Sequence, residues 1–273
     1  MNNFSAEKIQ KEISSMRGIE PESILIGDEV TSTNDLGKEI LKKGGKNRIV
    51  IIAESQTQGR GRLGRQFYSP GHRGLFMSFI FRLNIKSSRV FSITPLLAVA
   101  VRRGIKEALN IDIGIKWVND LILDGKKVGG ILVEALSLED RSELGLVCGI
   151  GINCFNESFP ESLANIATSL SPMKNSFDRN KLAAAIIKHV FGIIEDIECE
   201  DTFESNEMKN FMNEYKKAST VLNKYVLLYD TRGNRLLAKG VAADFGPGGE
   251  LIIRTDRGEL MTVNSGEITL REG

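Results

Sequence analysis

The chain has 273 residues, of which 41% are hydrophobic and 26% are charged, and its net charge is +1. This length suits one large domain or a large domain with a small one, and the composition is that of a folded globular protein. A net charge near zero gives the protein no overall electrostatic attraction for nucleic acid or membranes, so any electrostatic binding site must be local. The three cysteines contain no Cys-x-x-Cys pair and the two histidines lie far from metal-ligand spacing, which argues against a disulfide framework and a zinc site.

The first fifteen residues are polar and lack the apolar core of a signal peptide. No later stretch reaches the roughly 18 apolar residues of a membrane span. We therefore expect a cytoplasmic location and no membrane partner.

The first half of the chain predicts two helices, two strands and a third, longer helix. The opening residues and residues 33–41 have helical spacing, with Thr33 as the N-cap and Gly44-Gly45 as the stop. Short apolar runs in residues 48–55 and 74–81 indicate buried strands. Apolar residues then repeat at helical spacing over residues 91–110, which predicts a helix with one face on the sheet.

The second half begins with two apolar arms around Asp124-Gly125, a dipeptide that accepts the positive φ values of a hairpin turn. Residues 144–153 form another buried strand, and a core helix follows with Asp178 as its N-cap. The last fifty or so residues are five short apolar segments split by turn signals such as Arg232-Gly233-Asn234. We predict a domain at 1–219 and a small all-β barrel at 220–273.

The most unusual local sequence is QGRGRLGR, residues 58–65, directly after a buried strand. Backbone amides and guanidinium groups in this arginine loop could surround an anion. A cationic surface loop, or a loop that contacts RNA phosphates, is also consistent with this sequence. A Walker A loop is excluded, because no Gly-Lys-Ser/Thr follows.

A second cluster is KWVND, residues 116–120, together with Lys127 and the segment GGILVE on the return arm of the hairpin. This hairpin offers two lysines, an amide and two carboxylates. Solvated strand lysines and an ordinary turn are the alternative interpretation. A third segment, GIGIN at residues 149–153, has glycines inside an apolar strand, which permits close approach of a ligand or else marks a bulge or tight packing against a helix.

These segments, in this order and at these separations, resemble biotin protein ligases. The resemblance runs from TSTN, residues 31–34, to the closing SGEITLR. It implies an α+β fold: a catalytic domain similar to class II aminoacyl-tRNA synthetases, with a mixed sheet and helices, followed by an SH3-like β-barrel. Some members carry an N-terminal winged helix-turn-helix that binds an operator. Here TSTN begins only thirty or so residues in, so we expect a short form and no operator DNA.

The resemblance also implies a reaction. Biotin protein ligases join the biotin carboxylate to the α-phosphate of ATP, release pyrophosphate, and pass the biotinyl group from biotinyl-5'-AMP to a lysine. We therefore expect biotin and ATP as substrates, Mg²⁺ as the metal, and a biotin carboxyl carrier protein or domain as the partner. A homodimer is also considered.

Residue roles are carried over from the resemblance. The expected catalytic residues are Lys127, Arg62 and Arg65. The expected biotin site comprises Ser32, Thr33, Asn34, Gln56, Gly59, Arg60, Lys127, Gly130, Leu132, Gly149 and Ile152. The expected ATP site comprises Arg62, Arg65, Phe67, Lys116, Asn119 and Asn153. Asp120 is the expected Mg²⁺ ligand, because magnesium takes one or two carboxylates along with phosphate oxygens.

Two positions depart from the family pattern: Val118 stands where proline is usual, and Phe67 where tryptophan is common. Phe67 can still cover an apolar tail. The nearest rival function is a lipoate protein ligase, which shares the fold and the adenylation step. A protein that only retains biotinyl adenylate as a signal, or an RNA-binding module using the arginine loop, is a rival of another class.

Overall fold

The computed structural model describes residues 3–14, 23–138, 143–171, 176–199, 205–230, 235–264 and 268–272. The helices are α1 (Ala6–Ile13), α2 (Thr33–Lys42), α3 (Val90–Leu109), α4 (Glu161–Ala164), α5 (Arg179–Cys199) and α6 (Asn206–Ala218). The strands are β1 (Ile24–Val30), β2 (Ile49–Gln56), β3 (Gly74–Leu83), β4 (Gly114–Lys116), β5 (Asp120–Leu123), β6 (Lys126–Ser137), β7 (Leu144–Asn153), β8 (Tyr225–Asp230), β9 (Leu236–Phe245), β10 (Leu251–Thr255), β11 (Leu260–Val263) and β12 (Ile268–Glu272).

Seven strands form a mixed sheet in the order β1-β2-β3-β7-β6-β5-β4. β1 and β2 are parallel, and the other neighbours are antiparallel. Helices α3 and α5 pack together against one face, where the main hydrophobic core lies. Helix α2 covers the other face through a smaller cluster that includes Leu41, Ile51 and Val147. The α+β class with a large mixed sheet is therefore confirmed.

Most of the predicted elements are present. The Asp124-Gly125 turn has φ values of 50° and 76° and joins β5 to β6, as its sequence predicts. Asp178 accepts a hydrogen bond from the Asn180 backbone N–H at 2.9 Å, which supports its N-cap role. One cap prediction is wrong: α2 begins at Thr33, and the extended residue before it, Ser32, is the N-cap position.

The last five strands form a second sheet in the order β11-β10-β9-β8-β12. All five predicted strands are present, but β11 and β12 do not pair in the described part of the chain, so closure into a barrel is not confirmed. The predicted turn at residues 232–234 and the Ser265-Gly266-Glu267 part of the closing motif lie outside the described residues.

The small sheet packs on the rest of the molecule through a turn and three aromatic residues. The indole Nε1 of Trp117 donates to the Gly249 carbonyl at 2.8 Å, and both groups are buried. The Tyr215 ring on α6 lies edge-on to Phe245 on β9, with centroids 5.0 Å apart. One continuous hydrophobic cluster includes residues of both sheets. Among the described helices, none combines the length and apolar character needed to cross a bilayer.

Candidate active site

A cavity of about 340 Å³ opens on the α2 face of the large sheet. It lies between the N-terminus of α2, the arginine loop, and the hairpin of β5 and β6. Most of the predicted site residues line it: Ser32, Thr33, Asn34, Gln56, Arg60, Arg62, Arg65, Phe67, Lys116, Asn119, Asp120, Lys127, Gly130, Leu132 and Gly149. Segments 117 residues apart in the sequence, from Ser32 to Gly149, thus meet in one place.

Three predicted site residues do not line the cavity. Ile152 is fully buried and belongs to the hydrophobic core on the opposite face. Asn153 is buried, and its side-chain amide donates to the Thr168 carbonyl at 3.0 Å. Gly59 lies behind the loop, where a Cβ would come within 2.5 Å of the Phe67 carbonyl oxygen and of Ser69 Oγ. These positions support the wall rather than forming its surface.

The cavity also has a wall that sequence reasoning did not identify. The additional lining residues are Gly61, Leu63, Gln66, Met77, Trp117, Ile131, Ile150, Gly151, Leu163 and Ile166. Several belong to the recognised motifs, but Leu163 and Ile166 come from α4 and the turn after it. Lys127 holds this turn by donating its N–H to Ile166 and accepting from Thr168, each at 2.8 Å. No local pattern signals this long-range pairing.

One end of the cavity is polar and uncharged. The Gln56 Oε1 atom accepts from the Thr33 backbone N–H at 2.9 Å and from its hydroxyl at 3.2 Å. The Ser78 hydroxyl lies 2.7 Å from Thr33 Oγ1 and 2.6 Å from Asn34 Oδ1. Since all these groups are buried or half-buried and hydrogen-bonded to each other, their positions are fixed before a ligand arrives.

The two strand glycines of β7 make room for side chains above the sheet. A Cβ on Gly149 would lie 2.1 Å from Asn34 Oδ1, and one on Gly151 would lie 2.7 Å from the Phe67 ring. The sequence indicated either close approach of a ligand or a packing role for these glycines. In the structure, Asn34 and Phe67 themselves approach the strand.

Charged side chains form a chain of contacts along the rim. Arg60 Nε donates to Asp35 at 2.7 Å, Asp35 lies 2.8 Å from Lys38, and Lys38 lies 2.9 Å from Glu134. Glu134 in turn accepts from the Asn34 amide at 2.8 Å. The hydrogen bond to Asp35, together with its charge, raises the pKa of the Arg60 guanidinium. The rim thus connects the arginine loop to the polar end.

The arginine loop folds back on itself over the cavity. The Gly61 N–H donates to the Arg65 carbonyl at 2.7 Å, and Phe67 donates to Gly59 at 2.8 Å. Leu63 lies at the tip with a φ of 58°, the left-handed region, and its side chain is 54% exposed. This geometry directs Arg62 inward.

The opposite end of the cavity is cationic. Arg62 donates to Asn119 Oδ1 at 3.1 Å. Burial lowers the pKa of Arg62, Asp120 opposes that shift and Arg65 adds to it, yet a guanidinium stays charged in a protein. Lys127 Nζ lies 2.5 Å from Asp120 Oδ1. A Cβ on Gly130 would come within 3.3 Å of Lys127 Nζ, so the glycine gives this side chain its space.

These charges suit an anion with one accompanying metal ion. Asp120 is about one-third exposed and faces the cavity. In the described part of the chain, no group of three or more His, Cys, Asp or Glu side chains could hold a metal by itself. A lone carboxylate fits a magnesium ion that takes most of its ligands from phosphates and water.

Known proteins resemble this chain in sequence and in fold. Residues 26–153 match the model of the Biotin/lipoate A/B protein ligase family. The bifunctional ligase/repressor BirA of Bacillus spizizenii is 38% identical over 170 residues, which cover 61% of this chain and 51% of that protein. The structure superposes on the biotin protein ligase of Aquifex aeolicus in complex with biotin and ATP with a TM-score of 0.75 and 26% identity, covering 92% of this chain and 99% of that one.

Residues 26–153 form a biotin/lipoate protein ligase family domain.

The family match contains the arginine loop, the β5–β6 hairpin and β7, which are the segments that build the cavity. A second structure, the Leishmania major biotin protein ligase in complex with biotinyl-5-AMP, gives a TM-score of 0.59 and 25% identity, covering 88% of this chain and 98% of that one. The chain spans about half the length of the curated Bacillus relative that it matches.

Proposed function

We propose that this chain is a biotin protein ligase. It would form biotinyl-5'-AMP from biotin and ATP with release of pyrophosphate, and then biotinylate a lysine of a biotin carboxyl carrier protein or domain. The observation that carries the proposal is a single cavity with a fixed uncharged polar end and a cationic end at Lys127 and Arg62. The similar Aquifex aeolicus ligase has been solved with biotin and ATP bound.

The polar end would bind the ureido ring of biotin. Ser32, Thr33 and Gln56 present hydroxyl and amide groups there, and Arg60 lies at the rim. A site built around such hydrogen bonds rejects analogues that lack them, because its buried polar groups would then be unpaired. The apolar side chains of Met77, Leu132 and Ile150, with the Phe67 ring, would cover the ring and tail.

The cationic end would bring two anions together. A carboxylate and a triphosphate repel each other. Cations in a partly dry site offset this repulsion, and each well-placed donor stabilises the transition state by about 3 kcal/mol. Lys127 would contact both the biotin carboxylate and the α-phosphate, so that proximity speeds the attack. Arg62 and Arg65 would close over the adenylate and keep out the water that hydrolyses it. Lys116 and Asn119 would contact the nucleotide.

Mg²⁺ would neutralise the phosphates of ATP when bound, and Asp120 is the residue that would hold it. Lys127 pairs with this carboxylate, so the lysine would hold Asp120 toward the phosphates of bound ATP. Phe67 would flank the nucleotide in place of the tryptophan common in the family.

The same proposal includes the identity of the two domains, the cellular location and the oligomeric state. The small sheet would correspond to the family's SH3-like domain, with a boundary near Ser219, and the large unit to the fold of class II aminoacyl-tRNA synthetases. A cytoplasmic location is supported by the free thiols of Cys148 and Cys154. A homodimer stays a prediction.

The deciding experiment is ATP–pyrophosphate exchange with Mg²⁺ and no carrier, with biotin or lipoate as the acid. Exchange with biotin alone supports the proposal. Exchange with lipoate would move the assignment to a lipoate protein ligase, whose acid has no ureido group for the polar end. No exchange with either acid would favour a protein that only retains an adenylate.

A further inference from the structure

A second cavity of about 380 Å³ adjoins the first on the outer side of the arginine loop. Arg62 and Leu63 form part of both walls, and so do Ile131 and Leu132 on β6. Its remaining lining comes from the turn before α3, the first turns of α3, the loop between β4 and β5, and β6: Ser87, Val90, Phe91, Thr94, Val118 and Val133. The tip of the loop therefore separates two neighbouring spaces.

The second cavity has an exposed mouth and a buried floor. Ser87 and Leu63 at the mouth are exposed, whereas Val118 and Ile131 are 2% and 1% exposed. The residues on either side of Val118 in the chain, Trp117 and Asn119, line the first cavity. A long, thin side chain entering at the mouth would thus end beside the wall of the first cavity, close to the Arg62 guanidinium.

The lining selects a particular kind of group. It contains apolar side chains, two hydroxyls and one guanidinium, and none of its residues is a carboxylate. Burial among apolar groups and a nearby cation both disfavour the charged form of an amine. Both effects would lower the pKa of an amine in this cavity and so raise the fraction in the neutral, nucleophilic form.

We propose that the second cavity admits the acceptor lysine of the carrier protein, and that the two cavities serve the two half-reactions from opposite sides of the arginine loop. This inference rests on the proposed ligase function. The neutral amine attacks the acyl carbon of biotinyl-5'-AMP, a C–N bond forms, and the C–O bond to the phosphate breaks. The electron pair leaves with AMP, and the amine proton passes to water.

Charge around the mouth identifies the surface that surrounds this lysine. Lys86, which precedes Ser87 in the chain, is exposed, and Arg62 lines the cavity. A carrier that presents its lysine here would have acidic side chains around it, because like charges across an interface weaken association. The KM for the carrier should then rise with salt, while the KM for biotin stays nearly constant.

The test separates the two half-reactions in variants that fill the second cavity. Thr94→Phe places a ring inside it, and Ser87→Trp covers its mouth from an exposed position where folding is not at risk. Thr94→Val is the matched control, because it removes the hydroxyl without adding bulk. Adenylation is measured by ATP–pyrophosphate exchange, and transfer by a single turnover of preformed biotinyl-5'-AMP enzyme with a biotin carboxyl carrier domain.

We expect exchange within twofold of the parent protein for all three variants, and transfer at least tenfold slower for Thr94→Phe and Ser87→Trp only. Unchanged transfer in Ser87→Trp and in a folded Thr94→Phe would overturn the inference. An equal loss of both half-reactions would also overturn it, because the cavity would then hold part of the nucleotide. So would a shift in the monomer–dimer equilibrium as the sole effect, since a second copy would then occupy the mouth. Absence of exchange in the parent protein would reject the proposed function instead.

Discussion

Lys127 and Asp120 face each other across the β5–β6 hairpin, and the lysine is the cation nearest to the carboxylate that would hold the metal. Its side chain is 39% exposed, so its removal should leave the fold intact. We predict that Lys127→Ala lowers the rate of ATP–pyrophosphate exchange about a hundredfold or more, the scale of a lost charge donor. Lys127→Arg, which keeps the charge, should lose less. Nearly unchanged exchange in Lys127→Ala would contradict the assigned role.

The cysteines permit a second prediction about single residues. Burial raises the pKa of the Cys148 and Cys154 thiols to about 12. Because the thiolate is the reactive form, only about one thiol in 10,000 would be ionised at pH 8. In a Cys199→Ser variant, a thiol reagent at pH 8 should label no cysteine of the native protein and two per chain in denaturant. Rapid labelling without denaturant would show that these residues are accessible.

The sequence identified charged and polar site residues well, because the motifs place rare residue combinations at short spacing. Fifteen of the predicted positions face the cavity. The contacts between them were less predictable. The ion pair of Arg60 with Asp35 depends on how the loop folds over α2, and a residue pattern carries no such information. Ile152 was misplaced because, in a buried strand with apolar residues on both faces, alternation does not show which face lines the site.

At the level of elements, the strong strands and long helices followed from hydrophobic spacing. Strand β1 was missed because only Ile24 in it is buried and its other residues are mixed in character. Among the described residues it is an edge strand that pairs with β2 alone, so packing demands little of its sequence. Strand β4 has three residues and pairs with β5 through a tight turn. Such a short strand has little pattern of its own, so the sequence predicts a single hairpin arm through KWVND where the structure has two strands.

The turn at residues 246–249 is the element that joins the small sheet to the helix layer. Gly249 has a φ of 90°, and a Cβ there would lie 2.5 Å from Pro95 Cγ on α3. Gly258, in a turn between β10 and β11, has a φ of 82° and no atom within 4 Å of its Cβ position. The two glycines thus share a backbone conformation that other residues rarely adopt, but they differ in packing.

We predict that Gly258→Ala lowers the free energy of unfolding by about 1–2 kcal/mol, the cost of a left-handed residue. Gly249→Ala should cost about 1–3 kcal/mol more, because the added methyl group overpacks the contact with α3. It should also slow ATP–pyrophosphate exchange, since the Gly249 carbonyl holds Trp117. Chemical denaturation of both variants measures the difference. Equal losses would mean that the turn adjusts without cost.

For the whole molecule, the continuous hydrophobic cluster means that the two sheets stabilise each other. Val226, Phe245 and Leu251 of the small sheet are buried, and their partners include Tyr215 on α6. We predict that deletion of the residues after Ser219 lowers the midpoint of thermal unfolding and abolishes adenylation. Calorimetry and the exchange assay measure these effects. A truncated chain with an unchanged midpoint and both half-reactions intact would contradict this dependence.

Trp117 is the only tryptophan in the chain, it lines the first cavity, and its indole N–H bonds to the small sheet. The protein therefore carries its single indole fluorophore at the junction of its two units. Its native emission should be blue-shifted, since the side chain is 6% exposed, and its intensity should change when biotin binds. In denaturant, the red shift of this emission should coincide with the loss of far-UV ellipticity. An earlier red shift would mean that the small sheet detaches before the rest of the molecule unfolds.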